Sequence, residues 1–348
     1  MDITIVIPMY NAEKTIKRCL HNIVKSPAFN RVEILIIDDG SSDNSAKIIR
    51  DSYSKFNNVK LLQFDNQGVS CARNRGIEAA HTEWVFFLDA DDAVSEDAVE
   101  CIVEKASKNN HADIIIFSEH AEDHTYVIHE QERSELIKAI LKISENEKYN
   151  KCYLASPCSK LYKRSFLELN NIRFKPQIVI GEDMLFNIDI ILKTKQISFV
   201  QKGIYLYYMN VLSSTNSFSP SILDSDRAFL TKLLEYDFTQ IDDSSSNISA
   251  VIYGGIWNCL TRYFAYKGSG TLLQAKKELI KMLDTAPYRD YWGKFNTQYI
   301  KDKKRKVIFI LLKRRKYLTT IGALRFHNCI CSTMRKKIKN NNENWKRL

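Results

Sequence analysis

The chain has 348 residues, of which 45% are hydrophobic and 26% charged. It can therefore bury a full-sized core over about two domains, and its composition excludes wholesale disorder. Its net charge of +10 is uneven: residues 301–348 hold 16 Lys and Arg against two acids, a net of +14, whereas the first 300 residues hold 35 against 39, a net of −4. The basicity thus belongs to a tail on a mildly acidic body. Eight scattered cysteines without a CxxC pair read as free thiols, which excludes a disulfide scaffold or a clustered zinc site. No secretory signal pattern precedes the first apolar run. The longest apolar run near the tail, Val307–Leu312, is far short of the ~20 residues needed to cross a bilayer. A cytoplasmic protein is predicted.

In chain order, the patterns predict strand Ile3–Ile7, helix Ala12–Lys25, strand Val32–Ile37 and helix Asn44–Tyr53. Strand Val59–Gln63, helix Val69–Ala80 and strand Trp84–Leu88 follow. The strands are almost wholly apolar, as in a parallel sheet covered on both faces, and their alternation with helices predicts a doubly wound α/β domain. Helix Glu96–Lys108, strand Ile114–Ser118, helix Ser134–Ile143 and helix Glu182–Leu192 come next. Ser213–Ser221 reads as a loop, the stretch from Ile222 to about Pro287 as helical, and Asn340–Asn344 as a frayed end.

Five polar constellations interrupt this pattern. Phe86–Asp92, FFLDADD, drives an apolar strand into three carboxylates, which repel one another unless a cation neutralises them. Hard divalent ions such as Mg²⁺ and Mn²⁺ suit one or two carboxylates completed by substrate phosphates; the alternative is a solvated turn with Asp92 or Ser95 as a helix cap. Asp38-Asp39-Gly40-Ser41-Ser42 could accept from a base or ribose, or could simply cap the next helix. Pro8-Met9-Tyr10-Asn11 offers an aromatic that could stack on a base or sit at the core's rim. Asp65–Gly68 runs into a helix with Arg73 and Arg75, either donors to a diphosphate or solvated charges. Gly181-Glu182-Asp183 places acids at a helix start, as a general base or as ordinary first-turn charge. No P-loop or GxGxxG follows the first strand, which disfavours NAD-type binding.

Taken in order, VIPMYN, IIDDGSSDNS, DNQGVSCARNRGIEAA, FLDADD, SKLYKRSF and GEDMLF resemble the motifs of glycosyltransferase family 2 over about Ile3 to Ser217. The resemblance implies a GT-A fold: a Rossmann-like, mixed, mainly parallel sheet with helices on both faces, plus a helical C-terminal extension. It implies a catalytic domain over 1–217, with a nucleotide-sugar half at about 1–92 and an acceptor half at 93–217. A helical region at 218–300 and a basic amphipathic tail at 301–348 complete the expected layout. The implied activity is inverting transfer of one sugar from a UDP-sugar to a hydroxyl of a saccharide or lipid-linked saccharide, with Mn²⁺ or Mg²⁺. By position, Pro8, Tyr10, Asp39, Arg73 and Asp89 resemble nucleotide contacts, with Asp38 a neighbour. Asp91 and Asp89 match the DXD metal pair, and Asp183 matches the base. Glu182, Lys160 and Tyr162 resemble acceptor-side residues. Two departures stand out. Tyr207-Tyr208 is followed by Met209-Asn210 rather than Arg or His near the diphosphate, and the QxxRW motif of processive synthases is absent. The competing readings are a sugar nucleotidyltransferase and a non-catalytic protein that binds a nucleotide-sugar or membrane.

In the tail, basic runs bracket VIFILL, and Arg335–Lys339 adds another. Such a helix can lie on an anionic membrane, where each basic residue contributes about 1 kcal/mol. This predicts a peripheral protein at the inner face of the membrane. A solvated cationic helix is the alternative, and the lack of an RNA-binding motif disfavours nucleic acid.

Overall fold

The computed structural model describes residues 1–144, 146–208, 218–236, 244–293, 300, 302–338 and 345–347. The chain forms two compact units, Met1–Met209 with Asn344–Leu348, and Asn210–Glu343. The Met209-Asn210 pair, most of the predicted Ser213–Ser221 loop and the Asn340–Asn344 end lie outside the described residues.

The strands of the first unit are β1 (Ile3–Met9), β2 (Val32–Asp39), β3 (Val59–Phe64), β4 (Trp84–Phe87), β5 (Ala93–Val94), β6 (Ile114–Ser118), β7 (His124–Val127), β8 (Lys160–Lys163), β9 (Gln196–Gln201) and β10 (Tyr205–Tyr208). Eight form one sheet in the order β3-β2-β1-β4-β8-β6-β9-β7. The contiguous β3-β2-β1-β4 block is parallel, as is the β6–β9 pair, while β8 and β7 run antiparallel to their neighbours. Every residue of β1 and β2 is buried, which explains their unbroken apolar runs: helices cover the sheet and no face is left to water. The expected mixed, mainly parallel sheet surrounded by helices is what forms.

Strand β8 was not predicted. Lys-Leu-Tyr-Lys is too short and too polar to announce a central strand, yet it lies between β4 and β6 with Leu161 and Tyr162 fully buried. Strands β5 and β10 pair separately from the main sheet, and Trp345–Arg347 adds antiparallel to β10.

The second unit is helical: Ile222–Leu233, Ser244–Cys259, Leu272–Leu283, Tyr288–Tyr291, Lys303–Lys313 and Tyr317–Ile338. The apolar run expected in a separate basic tail belongs to this unit. Ile308 and Phe309 lie one helical turn before Leu312 and all three are buried, with the Phe309 ring 4.7 Å from that of Tyr253. The run therefore covers the helical core, leaving Lys303, Lys304 and Val307 outside while Arg305 is half-buried. Among the described residues no helix is long and apolar enough to cross a membrane.

Candidate functional site

The C-terminal ends of β1, β2 and β4 carry the polar clusters, the edge of an open α/β sheet where ligands bind. The loops there are fastened to one another. Asn11, at φ 49°, accepts from the Ser42 amide through Oδ1 (2.8 Å), and its own amide donates to Ser41 Oγ (2.9 Å). The Ala12 amide donates to Ser45 Oγ, and the Glu13 amide to Asp43. The Ser/Asp-rich segment after β2 thus staples the loop after β1, and Asp43 Oδ1 also accepts from the Ser45 amide (2.9 Å) at the start of helix Ser45–Tyr53. Tyr10 stands at the end of β1 with 56% of its surface exposed, while Pro8 is buried within the strand.

Asp38 and Asp39 part company. Asp38 is buried and accepts from the Ser41 amide (3.0 Å) and from Gln63 Nε2 (2.9 Å). Asp39 accepts from the Gln67 and Gly68 amides (3.0 and 2.7 Å), with Arg75 Nη1 at 3.6 Å. Gly40 (φ +77°) makes the turn, and a Cβ there would sit 2.9 Å from the Asn66 amide nitrogen. Gln63, Phe64, Asp65, Gln67 and Arg75 line a polar pocket of about 540 Å³, in which Arg75 stacks 4.1 Å above the Phe64 ring.

Arg73 organises the acidic half. Its helix, Val69–Ala79, lies so close to β1 that a Cβ at Gly76 would meet Val6 Cγ1 at 2.2 Å. That approach buries Arg73, which is 4% exposed. Its Nη1 donates to Asp183 Oδ1 (2.6 Å) and its Nη2 to Asp89 Oδ1 (3.0 Å), while Glu182 Oε1 lies 3.9 Å away. Burial alone would depress the guanidinium, but the Asp183 and Asp89 charges outweigh it and hold Arg73 above its ordinary range. Arg73, matched by position to a nucleotide contact, points into the carboxylates, tying the turn after β4 to helix Glu182–Lys193.

The three carboxylates of that turn have different environments. Asp89 is partly exposed beside Arg73. Asp91 is exposed overall, and its carboxyl is raised by burial and by the Asp89 charge. Asp92 is not a helix cap: it is buried, accepts from the Tyr205 hydroxyl (2.6 Å) and the Tyr208 amide (2.8 Å), and is raised to about 7 by desolvation, with those bonds opposing. Arg18 Nη2 donates to the Asp91 carbonyl (2.6 Å), and its guanidinium stacks 3.8 Å over the Tyr208 ring. Sequence reasoning missed Arg18 and Tyr205. Arg18 reads as ordinary helix charge beside Lys14 and Lys17, and the Tyr205 hydroxyl finds Asp92 across 113 residues.

Among the described residues no three His, Cys, Asp or Glu side chains group to hold a metal unaided. The donor set is two carboxylates, Asp89 and Asp91, close enough that the charge of one raises the other. It fits a hard divalent ion completed by phosphate oxygens.

Below the cluster, Phe174 stacks on Phe186 at 3.9 Å, and Phe87 and Tyr162 meet Phe186 edge-on. This aromatic floor fixes the start of helix Glu182–Lys193. Lys160 and Tyr162, expected on the acceptor side, lie within the floor. Lys160 Nζ donates to the carbonyls of Tyr153, Ser156 and Cys158 (3.2, 2.5 and 3.4 Å), and desolvation lowers its pKa to about 8. The Tyr162 hydroxyl is within hydrogen-bond distance of the Pro157 carbonyl (3.0 Å) and Asn187 Oδ1 (3.1 Å).

Glu182 and Asp183 are both raised, by burial first; the Asp183 charge adds to this at Glu182, and Arg73 opposes it at both. Glu182 reaches about 8. Between the ordinary carboxyl range and that value the folded chain binds the extra proton, so Glu182 makes stability fall as pH rises through this window. Glu182→Gln, an uncharged mimic, should leave the melting temperature near pH 5 almost unchanged and raise it at pH 9. An equal shift at both pH values would contradict the elevated carboxyl.

Residues 4–169 match the profile "Glycosyl transferase family 2". The uncharacterized glycosyltransferase EpsJ of Bacillus subtilis (strain 168) is 27% identical over 61% of this chain, which spans only 62% of EpsJ's own length. The poly(ribitol-phosphate) beta-N-acetylglucosaminyltransferase TarP of Staphylococcus aureus (strain N315) is 29% identical over 66% of this chain and 69% of its own. In fold, the chain resembles S. aureus TarS 1-349, solved in complex with UDP-GlcNAc, with a TM-score of 0.59 at 19% identity over 93% of this chain and 90% of that one. Residues 4–169 are thus a glycosyl transferase family 2 domain.

Proposed function

We propose that the chain is an inverting glycosyltransferase that moves one sugar from a UDP-sugar to a hydroxyl of a saccharide or lipid-linked saccharide. The observation carrying this reading is the single buried guanidinium of Arg73 shared by Asp89 and Asp183. It sets a carboxylate suited to metal and diphosphate beside one suited to proton removal. Tyr10 and Asp39, with Pro8 behind them, form the base side. Asp39 already accepts two backbone amides and so is held rigidly for a further contact. Asp91, with Asp89, would hold Mn²⁺ or Mg²⁺, which when bound neutralises charge on the departing diphosphate. Asp183, raised above its ordinary range by burial, takes the acceptor proton. The acceptor oxygen attacks the anomeric carbon on the face opposite UDP, and the electron pair of the breaking C–O bond leaves with the β-phosphate.

The likeness to TarP supports an N-acetylhexosamine donor and an acceptor belonging to a cell-surface polymer or its precursor. The basic residues of Lys303–Lys313, with exposed Val307, Leu318 and Phe326 nearby in sequence, suit a peripheral position on the anionic inner face of a membrane. Metal-dependent release of UDP from a panel of UDP-sugars tests the class. Asp91→Asn should weaken metal-dependent UDP binding by about tenfold or more, a loss of one charged ligand contact. Unchanged binding would remove the metal assignment, and pyrophosphate release from UTP would replace transfer with nucleotidyl chemistry.

A further inference from the structure

The three acids of the turn after β4 are held in different ways. Asp89 bonds Arg73 through its carboxylate, and its amide donates to the Tyr205 hydroxyl (3.3 Å). Asp92 accepts from that hydroxyl and from the Tyr208 amide. Asp91 has neither kind of support. Among the described residues Arg18 is the only side chain bonded to it, and that bond goes to the Asp91 carbonyl rather than the carboxylate. The carboxylate is left open, and its direction is set through the backbone that Arg18 holds.

The hold comes from one side of helix Ile16–Lys25. Arg18 and Asn22 stand one helical turn apart, with Cys19 beside Arg18. They donate to the carbonyls of Asp91 (2.6 Å), Val94 (2.8 Å) and Asp89 (3.6 Å) respectively, so one helix grips the backbone along the whole acidic turn. Arg18 does more than the other two. Its guanidinium lies 3.8 Å above the ring of Tyr208, whose amide bonds Asp92. The ring below and the carbonyl at the edge fix that plane from two directions. Its Nε is buried without a hydrogen-bond partner, a desolvation cost that an arginine serving only as surface charge would avoid by turning to water.

We propose that Arg18 is a positioning residue for the divalent ion: by pinning the Asp91 carbonyl against Tyr208, it holds the Asp91 carboxylate ready to ligate. This rests on Asp91 being a metal ligand. Geometry and charge make opposite demands here, which separates them. A cation beside a metal site repels the ion, so loss of the charge alone would tighten metal binding, whereas loss of the hold weakens it. Calorimetric titration of the full chain with UDP, in Mn²⁺ and again in EDTA, measures how far the ion strengthens UDP binding. Arg18→Met keeps an unbranched stem near Tyr208 but removes the donor. It should cut that strengthening about fivefold or more, the coupling expected of groups in one bonded network, while the Kd in EDTA stays at the parent value. Arg18→Lys keeps the charge and a donor but not the planar stack, and should recover part of the loss. Tighter Mn²⁺-dependent binding in Arg18→Met overturns the proposal. So does an equal loss in Mn²⁺ and EDTA, which would mean that Arg18 supports the donor site at large. Parent-like strengthening in Arg18→Met, with Asp91→Asn impaired, strikes Arg18 alone. If Mn²⁺ does not strengthen UDP binding to the parent, or Asp91→Asn keeps the full effect, the metal assignment fails and this inference falls with it.

Discussion

Asp183→Asn should keep UDP affinity near that of the parent while lowering kcat by about 10²–10⁴-fold, the contribution of a positioned general base. The substitution preserves size and leaves Arg73 its bond to Asp89, so the acidic turn keeps its place. What is lost is the only feature of Asp183 that amide chemistry cannot supply, a carboxylate that accepts a proton. In the parent, burial raises this carboxyl against the pull of Arg73, so activity should fall in acid as the base is protonated, at a pH above the ordinary aspartate range. The acidic limb should disappear from the residual activity of the variant. Wild-type turnover in Asp183→Asn, or loss of UDP binding in parallel with kcat, would move the base elsewhere.

The sequence exposed those parts of the fold that depend on short-range pattern. β1, β2 and β4 were legible because a sheet covered on both faces demands unbroken apolar runs, and the acidic turn after β4 because three carboxylates stand within four positions at a strand end. The unread parts rest on long-range pairing. Lys160 looks like a surface residue in KLYK. Its charge is tolerated inside because the carbonyls of Tyr153, Ser156 and Cys158 converge on it, and that convergence depends on a turn with Tyr153 and Ser159 at positive φ. Arg73 was legible as a cation on a helix, but its target was not: Asp183 lies 110 residues away, and only the close approach at Gly76 turns the guanidinium inward. The VIFILL run could be read as amphipathic, but its pattern could not distinguish a membrane from Tyr253 and Trp257 as the surface it covers.

Arg73→Met should destabilise the chain by about 3–5 kcal/mol near neutral pH, the cost of leaving buried charge without its partner. Methionine fills much of the volume and can still lie near the Phe174 ring, 5.2 Å from the Arg73 guanidinium, so lost packing is a minor part of that figure. The larger part is electrostatic. Asp89 and Asp183 each lose a hydrogen bond of 3.0 Å or less, and Glu182 loses the cation that offsets its own burial. Without Arg73 the Glu182 and Asp183 carboxyls rise further in the folded state, so the variant binds more protons folded than unfolded over a wider range. Its stability must then fall more steeply as pH rises from about 5 to 8. Urea denaturation of parent and variant at both ends of that range measures the difference directly, and the deficit should be much smaller at pH 5. Arg73→Lys should recover little, because an ammonium cannot present two parallel donors to carboxylates on different elements. A deficit independent of pH would mean that Arg73 acts through packing, and the shared guanidinium would no longer explain why the acidic turn and Asp183 stand together.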